Sequence, residues 1–301
     1  MIVPPALKTG DKIRIISPAG RVAEKYVLPA AEWLREQGYQ VEFGKHVFAR
    51  HYQFAGTDIE RLEDLQEAFD DEETKAVLCS RGGYGTVRII DKIDFNPFLK
   101  KPKWLIGFSD ITILHACFNN LDVATIHGVM PRYFFDEKGE PTENLHSLMK
   151  LISGQWVSYT FPGNERNRNG NVSGELTGGN LSILSSLQGT KYEIETEGKI
   201  LFLEDIDEFL YHADRMMHQL KLSGKLTGLA GLVLGNFTDM KDNESPFGKT
   251  ITEIITEAVG GYDFPVCFGF PAGHNEKNLA LSFGQKWQID VSENHSELKL
   301  L

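Results

Sequence analysis

The sequence predicts an α/β protein in two domains: an N-terminal, mostly parallel sheet with flanking helices, then a C-terminal α/β domain with a strand-rich end. Three observations carry this expectation. Short apolar runs alternate with stretches of helical spacing, the pattern of a parallel sheet covered on both faces. The 301 residues suffice for two domains of roughly 150 residues each. Composition shifts after Met130: Phe135 to Gly139 is charged, and Gly163 to Gly170 is rich in Asn, Arg and Gly. The stretch 131–170 therefore reads as a connector, with a helix at Leu145 to Ile152, between domains at 1–130 and 171–301.

In chain order, Lys12 to Ile16 is a β-branched strand closed by the turn Ser17-Pro18-Ala19-Gly20. Glu24 to Gln37 carries Val27, Ala30, Ala31 and Leu34 at helical spacing and stops at Gly38. Tyr39 to Phe43 is a second strand. Thr57 and Glu60 form a capping-box pattern, and Leu62, Leu65 and Phe69 continue that helix face. Ala76 to Cys79, Trp104 to Gly107 and Ala124 to Ile126 read as further strands, with helices from Thr86 and over Asp110 to Asn119. In the second half, helices are expected at Leu181 to Leu187, Phe209 to Leu220 and Ile251 to Val259. Strands are expected at Lys199 to Leu203, Ala230 to Leu234 and Val266 to Phe268, and Leu279 to Phe283 with Lys286 to Val291 reads as a closing hairpin around Gly284-Gln285.

Composition excludes several classes. Acidic residues outnumber basic ones 42 to 31, for a formal charge of −11 and a pI near 5.3. Without a Lys/Arg cluster, this argues against general nucleic-acid binding. No apolar run approaches the roughly 18–20 residues of a membrane span. The opening Met1-Ile2-Val3-Pro4-Pro5-Ala6 lacks the basic stretch and apolar core of a signal peptide. Cys79, Cys117 and Cys267 are odd in number, far apart and set in apolar segments. They read as buried free thiols of a cytoplasmic protein, not as a disulfide frame or a zinc site.

Ligands in open α/β sheets bind beyond the carboxyl ends of the strands, so the residues that follow each strand are the candidates for chemistry. Ser80-Arg81-Gly82-Gly83-Tyr84-Gly85-Thr86 follows the third strand. Its glycines let a ligand approach the backbone, to cradle an anion or to supply oxyanion donors; a tight strand–helix turn is the plainer reading. Gly107-Phe108-Ser109-Asp110 follows the fourth strand. A serine there has the logic of a nucleophile elbow, although Ile111 stands where G-x-S-x-G requires glycine. A helix cap is the competing reading. Glu204-Asp205-Ile206-Asp207-Glu208 follows the Lys199 to Leu203 run. Glu204 is best placed to orient a histidine; dipole-complementing acids or a metal site with His212 or His218 are the alternatives. Of the nine histidines, His274 alone sits in a Gly/Pro-rich loop directly after a strand, as a general base could.

The ordered set Leu7-Lys8-Thr9-Gly10-Asp11-Lys12-Ile13, Ser17-Pro18-Ala19, Arg81-Gly82-Gly83-Tyr84-Gly85, Gly107-Phe108-Ser109-Asp110, Gly178-Gly179-Asn180, Leu203-Glu204-Asp205 and Gly273-His274 resembles the LD-carboxypeptidase family of serine peptidases over nearly the whole chain. The family includes muramoyltetrapeptide carboxypeptidases and microcin C immunity peptidases. The resemblance implies a catalytic triad of Ser109, His274 and Glu204, the serine from the first domain and its partners from the second. It implies oxyanion donors at Asp110 and at Gly82 or Gly83. It also implies a homodimer, no metal or organic cofactor, and a murein tetrapeptide substrate cut at the L,D-bond before terminal D-Ala during cell-wall recycling.

A carboxypeptidase must hold a free carboxylate, for which Arg81 or the Gly-rich amides are candidates. Gly179 and Asn180 are candidate substrate contacts, with a helix cap at Asn180 as the alternative. Two other functions stay open at this point. One is an immunity peptidase that cuts a peptide–nucleotide conjugate, for which Trp104, Trp156 or another aromatic would stack on the base. The other is a non-catalytic α/β protein that binds a small anion.

Overall fold

The computed structural model describes residues 1–292 and 294–301. In chain order its elements begin with β1 (Lys12–Ile16), α1 (Glu24–Glu36), β2 (Gln40–Phe43), α2 (Asp58–Asp70) and β3 (Thr74–Cys79). They continue with α3 (Asn96–Lys100), β4 (Trp104–Gly107), α4 (Thr112–Asn120), β5 (Thr125–His127) and α5 (Glu143–Ile152). Next come β6 (Ser158–Pro162), β7 (Gly170–Asn180), α6 (Leu181–Ser186), β8 (Ile200–Ile206), α7 (Leu210–Leu222) and β9 (Gly231–Thr238). The chain ends with α8 (Ile251–Ala258), β10 (Val266–Phe268), β11 (Leu281–Phe283), β12 (Lys286–Val291) and β13 (His295–Leu300).

The chain divides into two compact units: Met1–Gln155 with Leu279–Ser282, and Trp156–Asn278 with Phe283–Leu301. The stretch expected as a connector is structured. It carries α5 and β6, and the division falls inside it.

In the first unit, the described strands form a six-stranded sheet in the order β11-β5-β4-β3-β1-β2. The pairs β2–β1, β1–β3, β3–β4 and β4–β5 are parallel. Parallel neighbours need crossovers, and α1, α2, α3 and α4 lie in them. α1 buries Val27, Ala30, Ala31 and Leu34, the stripe its spacing predicts. α2 opens with the Thr57–Glu60 capping box and buries Leu65, Ala68 and Phe69. Phe69, Phe98 and Phe118 then meet in a cluster with ring centroids 4.1–5.4 Å apart. The helix expected from Thr86 is only a pair of 3₁₀ turns, Thr86–Arg88 and Ile90–Lys92. Ile90 and Ile93 are both buried, and a spacing of three suits 3₁₀ geometry, where i and i+3 eclipse.

In the second unit, the described strands form a seven-stranded sheet in the order β10-β9-β8-β7-β12-β13-β6. β7 serves two neighbours with different halves. Gly170 to Glu175 pairs antiparallel with β12, and Leu176 to Asn180 pairs parallel with β8. One side of the sheet is therefore parallel, through β9 and β10, and the other antiparallel, through β13 and β6. The hairpin expected around Gly284-Gln285 does not form, because β11 and β12 lie in different sheets. Their burial explains this: β11 is buried at every residue, whereas β12 alternates as a strand with one covered face does.

Cys79, Cys117 and Cys267 are buried free thiols. Among the described residues no helix is long and apolar enough to cross a membrane.

One buried cation ties the loops of the first unit together. Arg61 is 1 % exposed. Its Nη1 donates to Pro18 O at 2.7 Å and to Gly85 O at 2.8 Å, its Nη2 pairs with Asp58, and its guanidinium lies over Phe54. It thus joins the turn after β1 to the Gly-rich loop after β3. Arg61→Met is expected to lower stability by about 1–3 kcal/mol, since the buried Pro18 O loses its donor, whereas Gly85 O keeps the Arg88 N–H and Asp58 keeps the Arg88 guanidinium. Chemical denaturation followed by tryptophan fluorescence measures the loss.

Candidate active site

β1, β3 and β4 lie side by side and parallel, so the loops after them emerge at one edge of the first sheet. Ser17 Oγ donates to Val47 O at 2.8 Å, which spends its only proton. Ser80 must therefore be the donor in the 2.5 Å bond between the two hydroxyls. This bond fixes the start of the Gly-rich loop.

The turn after β4 holds Ser109 in a left-handed conformation, φ 65°, after an extended Phe108. A non-glycine residue held there is strained, and such strain collects at functional sites. The cap reading fails, because neither the 3₁₀ turn Ser109–Ile111 nor α4 has a side-chain cap. The structure also accounts for the missing second glycine. Ile111 packs onto Gly107, where a Cβ would sit 2.9 Å from Ile111 Cγ1. The small residue is needed two positions before the serine, not two after it.

His115 braces this turn. It is fully buried, and its burial lowers its pKa to about 4, so the ring is neutral. Nε2–H donates to Gly107 O at 3.0 Å, while Nδ1 lies 2.9 Å from Thr125 Oγ1.

The Gly-rich loop reaches Ser109 at Gly82, where a Cβ would stand 2.8 Å from Ser109 Cβ and 3.1 Å from Oγ. Only glycine fits that approach. Gly82 O accepts from Gly20 N at 2.9 Å, whereas among the described residues the N–H groups of Gly82 and Gly83 bond no other protein group. Asp110 is buried, and Oδ2 accepts from Thr86 N at 2.9 Å. Burial raises its pKa against that bond. Asp110 thus joins the serine turn to the end of the Gly-rich loop. Arg81 points elsewhere: its Nη1 donates to Arg21 O at 2.7 Å, and it lines a cavity of about 270 Å³ with Arg21, Arg50 and Arg132.

In the second unit, β8 runs past the expected Leu203, so Glu204 and Asp205 lie within the strand and are buried. The acidic run sorts by strand alternation and its end. Asp207 and Glu208 turn outward to Lys241 and His212. Glu204 Oε2 meets His274 Nδ1 at 2.7 Å. The Nδ1–H donates to the carboxylate, which makes Nε2 the acceptor nitrogen, the form a general base needs. Gly273 allows the approach: its φ is 119°, and a Cβ there would stand 2.9 Å from Glu204 Oε2. Its N–H donates to Asn278 Oδ1 at 3.0 Å.

Burial lowers the His274 pKa, but the hydrogen bond and charge of Glu204, helped by Asp205, outweigh it and raise the value above 6.5. Asp205 is raised to about 6, chiefly by burial and also by the Glu204 charge, against bonds from Ile206 N, Asn180 Nδ2 and Ser182 N. Asp205 is a buried partner that the sequence reading passed over in favour of its neighbour.

Gly179 and Asn180 stand beside Leu203 and Glu204 in register. Asn180 is a helix cap: Oδ1 accepts from Ile183 N at 3.2 Å, and Nδ2 donates to Asp205 Oδ1 at 2.8 Å. Of the two tryptophans considered for stacking, Trp104 is core, with Nε1 donating to Pro5 O at 3.0 Å, and Trp156 is 67 % exposed.

The raised His274 value has a sign that can be checked. Its stabilisation by Glu204 is complete below about pH 6.5 and is lost as pH rises through the raised folded value. In Glu204→Gln the burial remains while the Glu204 charge is gone, and only the smaller effect of Asp205 still raises the value. His274 is then expected to titrate below 6.5 instead of above it, as read from imidazole resonances in an NMR pH titration.

Comparison with known proteins adds to this geometry. The model of the LD-carboxypeptidase N-terminal domain matches residues 13–128, and that of the LD-carboxypeptidase C-terminal domain matches residues 173–289. The chain is 37 % identical to a probable murein peptide carboxypeptidase of Bacillus subtilis, over 96 % of this chain and 92 % of that one. It is 32 % identical to a murein tetrapeptide carboxypeptidase of Pseudomonas aeruginosa, over 91 % of each. Its fold matches the crystal structure of muramoyltetrapeptide carboxypeptidase from Oxalobacter formigenes with a TM-score of 0.87 and 29 % identity, over 96 % of this chain and 98 % of that one. With both domain models matched in order and relatives similar along nearly their full length, the chain belongs to the LD-carboxypeptidase family of serine-type peptidases.

Proposed function

We propose that this enzyme hydrolyses the L,D-peptide bond before the terminal D-Ala of murein tetrapeptides, as a step in recycling cell-wall peptides, with Ser109, His274 and Glu204 as its triad. The observation that carries the reading is the strained Ser109, held left-handed at a strand end against a glycine loop that has N–H groups to offer. The buried Glu204–His274 pair supports it, as do the names of the relatives.

In this reading His274 Nε2 accepts the Ser109 proton as Oγ attacks the scissile carbonyl. Glu204 holds the Nδ1–H tautomer and stabilises the imidazolium. Donors for the oxyanion are the N–H of Asp110 and that of Gly82 or Gly83. The imidazolium then protonates the amine of the departing D-Ala, and water, deprotonated by His274, releases the acyl group from Ser109. Arg81, turned into the adjoining arginine cavity, offers positive charge to a substrate carboxylate from there.

D-Ala released from purified murein tetrapeptide, measured for the native chain and for Ser109→Ala, tests the reading. Release is expected from the native chain and a loss of at least about 10³-fold from the variant. Release that survives the substitution would reassign the nucleophile, and no release by either chain would overturn the substrate. Gly82→Ala forces a methyl group against Ser109, and kcat is expected to fall on the order of 10²-fold, with a loss of stability of about 1–3 kcal/mol by chemical denaturation.

A further inference from the structure

Four arginines of the first unit converge on one cavity. Arg21, Arg50, Arg81 and Arg132 line a space of about 270 Å³ together with Val22, Ala23 and Tyr26, and no carboxylate is among the lining residues. This is unusual in a chain whose formal charge is −11. Of its eleven arginines, Arg14, Arg35, Arg61, Arg88 and Arg166 each pair with an Asp or Glu. Among the described residues none of the four cavity arginines has such a partner. Arg81 donates to a backbone carbonyl, and Arg132 lies over Tyr26 and Tyr133 at 5.3 and 5.8 Å. Like charges gathered without counter-charge repel one another, and an anion in the cavity relieves that repulsion.

The cavity also adjoins the serine turn by two routes. Arg81 directly precedes Gly82, whose α-carbon faces Ser109. Arg132 directly precedes Tyr133, whose ring lies 6.0 Å from that of Phe108, the residue before Ser109. The guanidiniums come from four separate segments and are interspersed with apolar Val22 and Ala23 and the Tyr26 ring. That suits several carboxylates on an apolar frame better than one compact anion.

From this arrangement we propose that the four-arginine cavity is a specificity subsite that selects peptides bearing carboxylates besides the one at the scissile end. This rests on the peptidase reading for its link to Ser109, and it adds Arg21, Arg50 and Arg132 as specificity residues. Anionic peptides would be drawn to a positive spot on an otherwise acidic protein, and their neutral counterparts would not.

The experiment has a binding arm and a kinetic arm, both on the full chain. Calorimetric titration with tricarballylate is expected to show binding that Arg50→Gln and Arg132→Gln each weaken at least about 10-fold, with melting temperatures near native. Absence of binding, unchanged binding in both variants, or binding of inorganic phosphate but not of tricarballylate would overturn the proposal. In the kinetic arm, kcat/KM is compared for two tetrapeptides that differ only in free or amidated upstream carboxylates. The native enzyme is expected to prefer the free acid by about 10- to 100-fold, and the variants to lose that preference while cleaving the amidated peptide as before. Equal rates for both peptides in the native enzyme would overturn it too. If neither peptide is cleaved, the peptidase reading fails, and the calorimetry still decides whether the cavity binds carboxylates.

Discussion

A carboxylate taken fully out of water must find a partner or surrender its charge. Glu204, completely buried in β8, imposes that constraint, and much of the second unit is arranged to meet it. Its partner His274 comes from a loop, and the loop can approach only because Gly273 has no side chain. Asn278 in turn holds the Gly273 N–H. Asp205 repeats the logic one residue later, on the opposite side of the strand: it gathers Asn180, Ser182 and its own neighbour's N–H at the start of α6. Two consecutive acids in one strand thus organise two loops. A register shift of one residue in β8 would exchange their partners, which makes the pairing of β7, β8 and β9 a condition of the site.

The first unit meets a different constraint, that of presenting a strained serine on a turn with no side-chain cap. Packing holds it instead: His115 on the Gly107 carbonyl, Ile111 of the same turn on the Gly107 α-carbon, and Asp110 on the Thr86 N–H. Arg61 then holds the two neighbouring loops by their carbonyls. Rigid packing around a strained residue is how a fold keeps a reactive geometry it would otherwise relax.

The parts of this architecture that were legible in the sequence are those written in local periodicity. Val27, Ala30, Ala31 and Leu34 announce α1, and Thr57 with Glu60 announces the start of α2. β1 and β4 have the limits their apolar runs suggest. The strands that escaped, β6, β7 and β13, are rich in polar residues and glycine and owe their extended form to neighbours distant in sequence. Glu204 was visible as an acid next to an apolar run, yet the run continues through it, because a buried partner can keep a charged residue inside a strand. Arg21, Arg50 and Arg132 had no common signal, since only folding brings residues that far apart in sequence to one cavity.

The strand β11 has a consequence for how the protein is made. Leu279–Ser282 belongs to the first unit, anchored where Ser147 Oγ accepts from Ala280 N at 2.9 Å, and β11 covers the free side of β5. A ribosome releases those residues only after the second unit's 156–278 has emerged. During synthesis the nascent first unit must therefore wait with β5 as an open edge, its unpaired amides available to other strands. The order of translation thus places the vulnerable interval of this protein in the unit that is made first, and its last sheet contact arrives only after most of the second unit.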